Sequence, residues 1–222
     1  MLAAERRDHL LGLLTNEGKI IAKDVAADLG ISEDSVRRDL RDLAAEGLCQ
    51  RVYGGALPVS PAVAGYTARQ AVAPDGKRKV AALAAKLIRP GGAVILDGGT
   101  TALALARALP HELPCTVITH SPTIAAALLD HPRAALSLLG GRRFKHSAVT
   151  CGAAAGEAAI ERALASRAAE TYVLASSEKI GTASRFRVLP WQKITGLVTD
   201  AAPDDPVLAR LVCLGVEILR AG

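Results

Sequence analysis

The stretch ISEDSVRRDLRDL, residues 31–43, decides how the first part of this chain is read. Ser32 follows a Leu29-Gly30-Ile31 turn and precedes an apolar repeat. A serine there can accept a hydrogen bond from an open N–H of a first helical turn. Glu33 and Asp34 fall in that turn, where carboxylates suit the positive end of the helix dipole. Val36, Leu40 and Leu43 recur at i, i+4 and i+7, so they share one face, and Arg37, Arg38 and Arg41 point away from it. The preceding residues 22–29 read as another short helix with Val25, Ala26 and Leu29 inward. Two short helices joined by a tight glycine-containing turn, the second bearing arginines, form the pattern of a DNA-reading helix-turn-helix.

Outward from that pair, the spacing predicts a helix over residues 5–15, a very short strand at 19–21, and a ribbon over 48–53 closed by a Gly54-Gly55 turn. Such a ribbon reads as the wing of a winged helix. Arg51 on it is placed to meet a phosphate, or is a solvated surface arginine. Ser32, Ser35, Arg37 and Arg38 are expected near the major groove or its flanking phosphates. Residues 1–57 hold eight Lys or Arg against ten Asp or Glu, a net of −2, so the chain's +5 comes from elsewhere. Positive charge must then be focused on the Arg37, Arg38 and Arg51 face, with the acids turned away. One copy should bind DNA weakly, and useful affinity needs two or more copies held together.

Residues 58–74 hold three prolines and little periodicity and read as a linker. Beyond them apolar strands alternate with helices. Asp75 can cap a helix running to Arg89, and strands are expected at 93–96, 115–119, 135–139, 172–175, 194–198 and 216–219. That alternation implies a parallel sheet covered on both faces. The organisation is thus 1–57 for DNA, 58–74 linking, and 75–222 an α/β domain.

Ligands bind open α/β sheets at the carboxyl ends of strands. The first such end, Asp97-Gly98-Gly99-Thr100-Thr101, leads straight into a helix. Its glycines and hydroxyls beside a helix N-terminus describe a phosphate cradle, or an ordinary βα turn that uses glycines. It is not a P-loop, since the G-x-x-x-x-G-K-[ST] motif is absent. The second end is Thr119-His120-Ser121, the third Gly140-Gly141-Arg142-Arg143, and the fourth carries Lys179. Together they suggest a pocket for a small anionic molecule. Asp97, His120, Glu178 and Lys179 are candidates for catalysis, but nothing in their spacing pairs them.

Half of the residues are hydrophobic and only 3% aromatic, so the core is built from Ala, Leu, Val and Ile. Cys49, Cys115, Cys151 and Cys213 show no C-x-x-C spacing and read as buried reduced thiols, not metal ligands or disulfides. The first residues lack a signal-peptide layout, and no apolar run approaches the ~20 residues of a membrane span. A soluble cytoplasmic protein without cofactor or metal is expected.

Residues 31–33, 37–40, Gly47, Arg51 and Gly54-Gly55-Ala56 closely resemble the N-terminal signature of the DeoR family of bacterial sugar-metabolism repressors. Asp97 to Thr101, Thr119 to Ser121, Leu139 to Gly141 and Ser177 to Lys179 resemble the sensor motifs of that family, in the same order. The resemblance implies a winged-helix transcription factor whose sensor domain is similar to ribose-5-phosphate isomerases. It implies a double-stranded DNA operator, a phosphorylated sugar effector that relieves repression, and a homodimer or homotetramer. Asp97, Gly99, Thr100, Thr101, Thr119, His120, Ser121, Gly141, Arg142 and Lys179 are then the effector residues. Departures exist. His120 stands where the family usually has Asn, and Glu161 where it often has Lys. Only residues 153–159 fill an interval that normally holds a strand and a Gly-rich loop, so the sensor reads as shortened. Two rival readings follow, a phosphosugar-processing enzyme with an appended DNA-binding domain, and a constitutive DNA-binding oligomer with a degenerate sensor.

Overall fold

Helix α2 (Ala22–Leu29) ends because Gly30 takes a left-handed conformation at φ 63°, and its N–H donates to the Ala27 carbonyl at 3.2 Å. Ser32 then caps α3 (Glu33–Ala45), its Oγ accepting from the Ser35 N–H at 3.2 Å. These two turns aim α3 within a computed structural model that describes residues 2–61, 65–140, 154–183 and 186–222. The chain divides into two units, Met1–Val63 with Gly181–Arg185, and Ala64–Ile180 with Phe186–Gly222.

In the first unit α1 (Ala3–Asn16) and α2 close over α3, with Leu10, Val25 and Ala56 packed against a fully buried Val36, Leu40 and Leu43. Arg6 pairs with Asp39 and Arg7 with Glu46, which ties α1 to α3. Strands β1 (Ile20–Ile21), β2 (Gln50–Val52) and β3 (Gly55–Leu57) form an antiparallel sheet in the order β1-β3-β2. Gly55 is therefore a strand residue between two neighbours, and Tyr53-Gly54 alone makes the turn, with Gly54 at φ 82°. Leu40 is 1% exposed. Leu40→Ala is expected to destabilise this unit by about 2–5 kcal/mol, measured by thermal melting, because it removes buried apolar contact and leaves a void in the core.

Residues 58–74 depart from the linker reading. Val59 pairs in parallel with Ala183, and the Ser60 N–H donates to the Ala183 carbonyl at 3.1 Å. A short helix α4 (Tyr66–Ala71) follows, with Tyr66 against the core of the second unit. A six-residue helix is too short to show its period, and a strand partner far along the chain leaves no local trace.

The second unit opens with α5 (Pro74–Ala85), which starts ahead of the expected Asp75 cap because Pro74 takes the first helical position, and which ends before Arg89. Asp75 does not cap it: Asp75 lies in the first turn and pairs with Arg78, while Ala73 holds the cap position at φ 42°. Strands β4 (Ala93–Leu96), β5 (Cys115–Thr119) and β6 (Ala134–Leu138), with α6 (Thr100–Ala108) and α7 (Pro122–Ala127) between them, form one parallel sheet. After α8 (Ala154–Ala165), strands β7 (Tyr172–Leu174), β8 (Gly196–Thr199) and β9 (Glu217–Arg220) form a second, with α9 (Pro206–Cys213) on it.

Among the described residues, then, two three-stranded parallel sheets stand where one sheet was expected. Residues 154–159, inside the interval read as lacking a strand, belong to α8. The α5 side is nonetheless one core, in which Val80 and Ala84 meet Leu96, Val117 and Val198. On β8 the neighbouring Leu197 faces the other way, into Leu208 and Leu211 of α9. A strand buried on both faces is what a continuous apolar run encodes. Burial pushes the Cys49 and Cys115 thiols up, whereas Cys213 is exposed, against the expectation of uniformly buried cysteines; Cys151 lies outside the described residues. No helix among the described residues is long and apolar enough to cross a membrane.

Candidate functional site

Two groups of the residues singled out above assemble, one in each unit. On α3 the successive 100° steps put Arg38 opposite the Val36–Leu40–Leu43 stripe, with Arg41 beside it. Arg37, Arg38 and Arg41 are all exposed. Arg37 is engaged by Glu33 one turn earlier at 2.7 Å, so the acids are not all turned away from this face. Among the described residues Arg38, Arg41 and Arg51 make no ion pair. Ser32 and Ser35 stand at the start of the helix with their hydroxyls 2.9 Å apart. Arg51 and Tyr53 are exposed on the β2–β3 hairpin, and Tyr53 is fully so. A helix that offers its N-terminal hydroxyls and an unpaired arginine, beside a hairpin with another arginine, presents donors to phosphate oxygens and to guanine edges.

The second group lies where β4 and β5 end. Gly99 is the N-cap of α6, so the Thr100 and Thr101 side chains sit on its first turn, 8% and 4% exposed. Lys179, on the short 3-10 turn Ser177–Lys179 after β7, donates from Nζ to Thr101 Oγ1 at 2.8 Å. Burial holds the Lys179 ammonium below its ordinary pKa; Glu178 raises it, and Lys77 and Arg69 lower it further. His120 is fully buried, with Nε2 2.6 Å from Asp97 Oδ1 and 3.3 Å from the Gly98 amide nitrogen. The Asp97 side chain stays 48% exposed, so His120 grips it from beneath while the rest of the carboxylate faces outward. A helix N-terminus, a hydroxyl and an ammonium attract an anion, and the held carboxylate accepts from hydroxyl groups.

Asp97, Gly99, Thr100, Thr101, His120 and Lys179 thus come together. Thr119 and Ser121 are adjacent, but their hydroxyls serve the backbone. Thr119 Oγ1 donates to the Leu96 carbonyl at 2.7 Å, which laces β5 to β4, and Ser121 Oγ accepts from the Ile124 N–H at 3.4 Å as the N-cap of α7. Gly141 and Arg142 lie outside the described residues. Sequence reasoning did not place Lys77 in the interior, where its Nζ donates to the Arg69 and Val72 carbonyls and it is 4% exposed. The signal was there: Lys77 falls at i, i+3, i+4 and i+7 with Val80, Ala81 and Ala84, a lysine on an apolar face. It also missed Asp200, at the end of β8, whose Oδ1 accepts from the Ser177 N–H at 2.7 Å.

Residues 6–62 match the model of a DeoR-like helix-turn-helix domain, and residues 72–158 match that of the DeoR C terminal sensor domain. The chain is similar to a putative aga operon transcriptional repressor of Escherichia coli O157:H7, 27% identical, covering 99% of this chain and 94% of the relative. It is 28% identical to the HTH-type transcriptional repressor GlcR of Bacillus subtilis, over 99% of this chain and 96% of that one. The HTH-type transcriptional regulator UlaR of Shigella flexneri is 26% identical, over 99% of this chain and all of its own length. The first of these alignments spans 256 positions against the 222 residues of this chain, so that relative carries residues this chain lacks. One solved structure, an O-methyltransferase family protein from Burkholderia thailandensis, superposes with a TM-score of 0.21 at 13% identity over 79% of this chain and 66% of that one, too low to bear on the fold.

Proposed function

The chain belongs to the DeoR family of transcriptional regulators, and from that premise we propose how it reads DNA and what releases it. It is a DNA-binding repressor of carbohydrate-metabolism genes. Residues 1–57 hold the operator through Ser32, Ser35, Arg37 and Arg38 at the major groove and Arg51 at a phosphate of the flanking backbone. Residues 75–222 form the sensor, reached through residues 58–74, a shortened relative of the ribose-5-phosphate isomerase fold. It also joins the chain into a homodimer or homotetramer in the cytoplasm.

The effector is a phosphorylated sugar. The observation that carries this is the meeting of Lys179 with Thr101 on the first turn of α6, beside the Asp97 carboxylate. The phosphate takes the N–H groups after Gly99, the Thr100 and Thr101 hydroxyls and the Lys179 ammonium, while Asp97 accepts from sugar hydroxyls. His120 orients Asp97, and Thr119 and Ser121 shape the backbone around it. Gly141 and Arg142 are assigned to the same site on the sequence pattern alone.

Sequencing the chromosomal DNA that co-purifies with the protein gives the operator and its neighbouring genes. Operator release by a sugar phosphate then tests the reading directly. Turnover of a pentose or hexose phosphate would decide instead for an enzyme, and release by none of the sugar phosphates of the neighbouring genes' substrates would leave a constitutive binder. Arg38→Ala is expected to cost about 1–3 kcal/mol of operator affinity if Arg38 reads a base edge, or to lower the salt slope by about one if it meets a phosphate. Affinity and salt slope both unchanged in a titration at several salt concentrations would remove Arg38 from the interface.

A further inference from the structure

Ala73 is the one residue other than glycine, among those described, with a positive φ, at 42°. It lies between the end of α4 and Pro74, at the joint of α4 and α5. A side-chain-bearing residue held there stores strain, and strained joints persist only where the surroundings over-determine them. Here the surroundings are known. Lys77, buried in α5, extends its ammonium back across the joint and donates to the Arg69 and Val72 carbonyls, the last turn of α4. A buried ammonium is expensive unless it is used, and this one is spent on holding α4 in place.

The same first turn of α5 touches the effector corner. A Cβ on Gly76 would collide with the Asp200 carboxylate, so Asp200 packs directly on that turn. Through its other oxygen Asp200 accepts from the Ser177 N–H, the start of the turn that carries Glu178 and Lys179. Lys179 in turn reaches Thr101. An unbroken series of contacts therefore runs from α4 through Lys77, Gly76, Asp200 and the 177–179 turn to the N-terminus of α6.

We propose that Lys77 clamps α4 across the strained Ala73 joint, and that an anion on the Thr101–Lys179 corner tightens the clamp. The inference rests on the effector reading given above and specifies its regulation. Lys77 is a positioning residue that does not touch the effector. Electrostatics supply the direction. Burial penalises the Lys77 ammonium and neighbouring Arg69 adds repulsion, while Glu178 opposes both. Lys179 lies in the same field. An added anion offsets that cationic crowding, which favours the charged, carbonyl-bound form of Lys77. Occupancy of the corner then appears as a better-held α4, in the segment of chain that leads back to the DNA-reading residues.

The test is hydrogen exchange of the full-length protein with inorganic phosphate, against chloride at equal ionic strength, with binding followed separately by thermal shift. In the wild type, phosphate is expected to slow exchange across residues 66–73 more than in α9, and Lys179→Ala to abolish both the slowing and the thermal shift. Lys77→Met is expected to keep the Lys179-dependent thermal shift and to lose the slowing at α4. Ala73→Gly relieves the joint without touching the clamp, so it is expected to fold and to show a smaller phosphate-induced slowing, since α4 is already better held in the empty protein. A thermal shift without any slowing at α4, or slowing that survives in Lys77→Met, overturns the clamp and leaves the effector reading standing. If Lys77→Met does not fold, an unchanged phosphate response in Ala73→Gly overturns it. No thermal shift at all overturns both.

Discussion

Gly55→Ala is expected to abolish operator binding by unfolding the DNA-reading unit. β3 is the middle strand of the β1-β3-β2 sheet, and a Cβ on Gly55 would fall onto the carbonyl oxygen of Ile20 in β1. That obstacle is backbone, not the end of a flexible side chain, so relief requires β1 to part from β3. The cost is on the order of 3–5 kcal/mol, above the usual range for overpacking because nothing local can give way. Folded domains hold roughly 0.05–0.15 kcal/mol per residue, so a unit of about 60 residues keeps little in reserve after such a loss. The neighbouring Gly54 serves a different purpose. It has open space around it and needs only its φ of 82°, so Gly54→Ala should cost about 1–2 kcal/mol. The single tryptophan, Trp191, belongs to the other unit. In Gly55→Ala its fluorescence transition should therefore stay near the wild-type temperature while helical circular dichroism loses an early portion. Normal operator affinity in Gly55→Ala would refute the assignment of Gly55 to the strand.

Lys179→Ala is expected to weaken the response to the effector and leave operator binding intact. A hydrogen bond to a charged group contributes about 1.5–3 kcal/mol, so effector affinity should fall roughly tenfold to 150-fold. The empty variant should melt at the same temperature as the wild type or higher. The sign follows from burial: the Lys179 ammonium sits below its ordinary pKa, so in the empty protein its charge is a burden on the folded state at neutral pH. Stabilisation by ligand, which grows by mass action as ligand exceeds its dissociation constant, should shrink accordingly. Thermal melts with and without ribose 5-phosphate or the inducer found from the operon, on both proteins, separate these effects. A variant that melts lower when empty yet responds normally to ligand would make Lys179 a structural residue only.

The helix-turn-helix was legible because every local device agreed. The glycine stop, the serine cap, the acidic first turn and the i, i+4, i+7 stripe all recur in the structure at Gly30, Ser32, Glu33 and Val36–Leu40–Leu43. The strand ends that gather around α6 were legible too, since small and polar residues after an apolar run mark the carboxyl edge of a parallel sheet. What stayed hidden depended on partners distant in sequence. The pairing of Arg6 with Asp39, the grip of His120 on Asp97 and the support of the 177–179 turn by Asp200 join residues that no window contains together. Charge counting misjudged α3 for a different reason: a total over residues 1–57 passes over the i,i+4 spacing that sets Glu33 one turn from Arg37.

The pairing of Val59 with Ala183 bears on how such a protein can be taken apart and recombined. A fusion that joins residues before Val63 to a foreign sensor carries the reading helix but leaves the Ser60 N–H and the Pro58 carbonyl without the backbone of Ala183. The unit that holds the reading helix is drawn from two stretches of the chain, Met1–Val63 and Gly181–Arg185, with Ala64–Ile180 between them. Exchange of specificity between such regulators by crossing over within residues 58–74 therefore leaves a small mismatch for the recipient to absorb. Trading side chains along α3, at Ser35, Arg38 and Arg41, leaves both pieces in register.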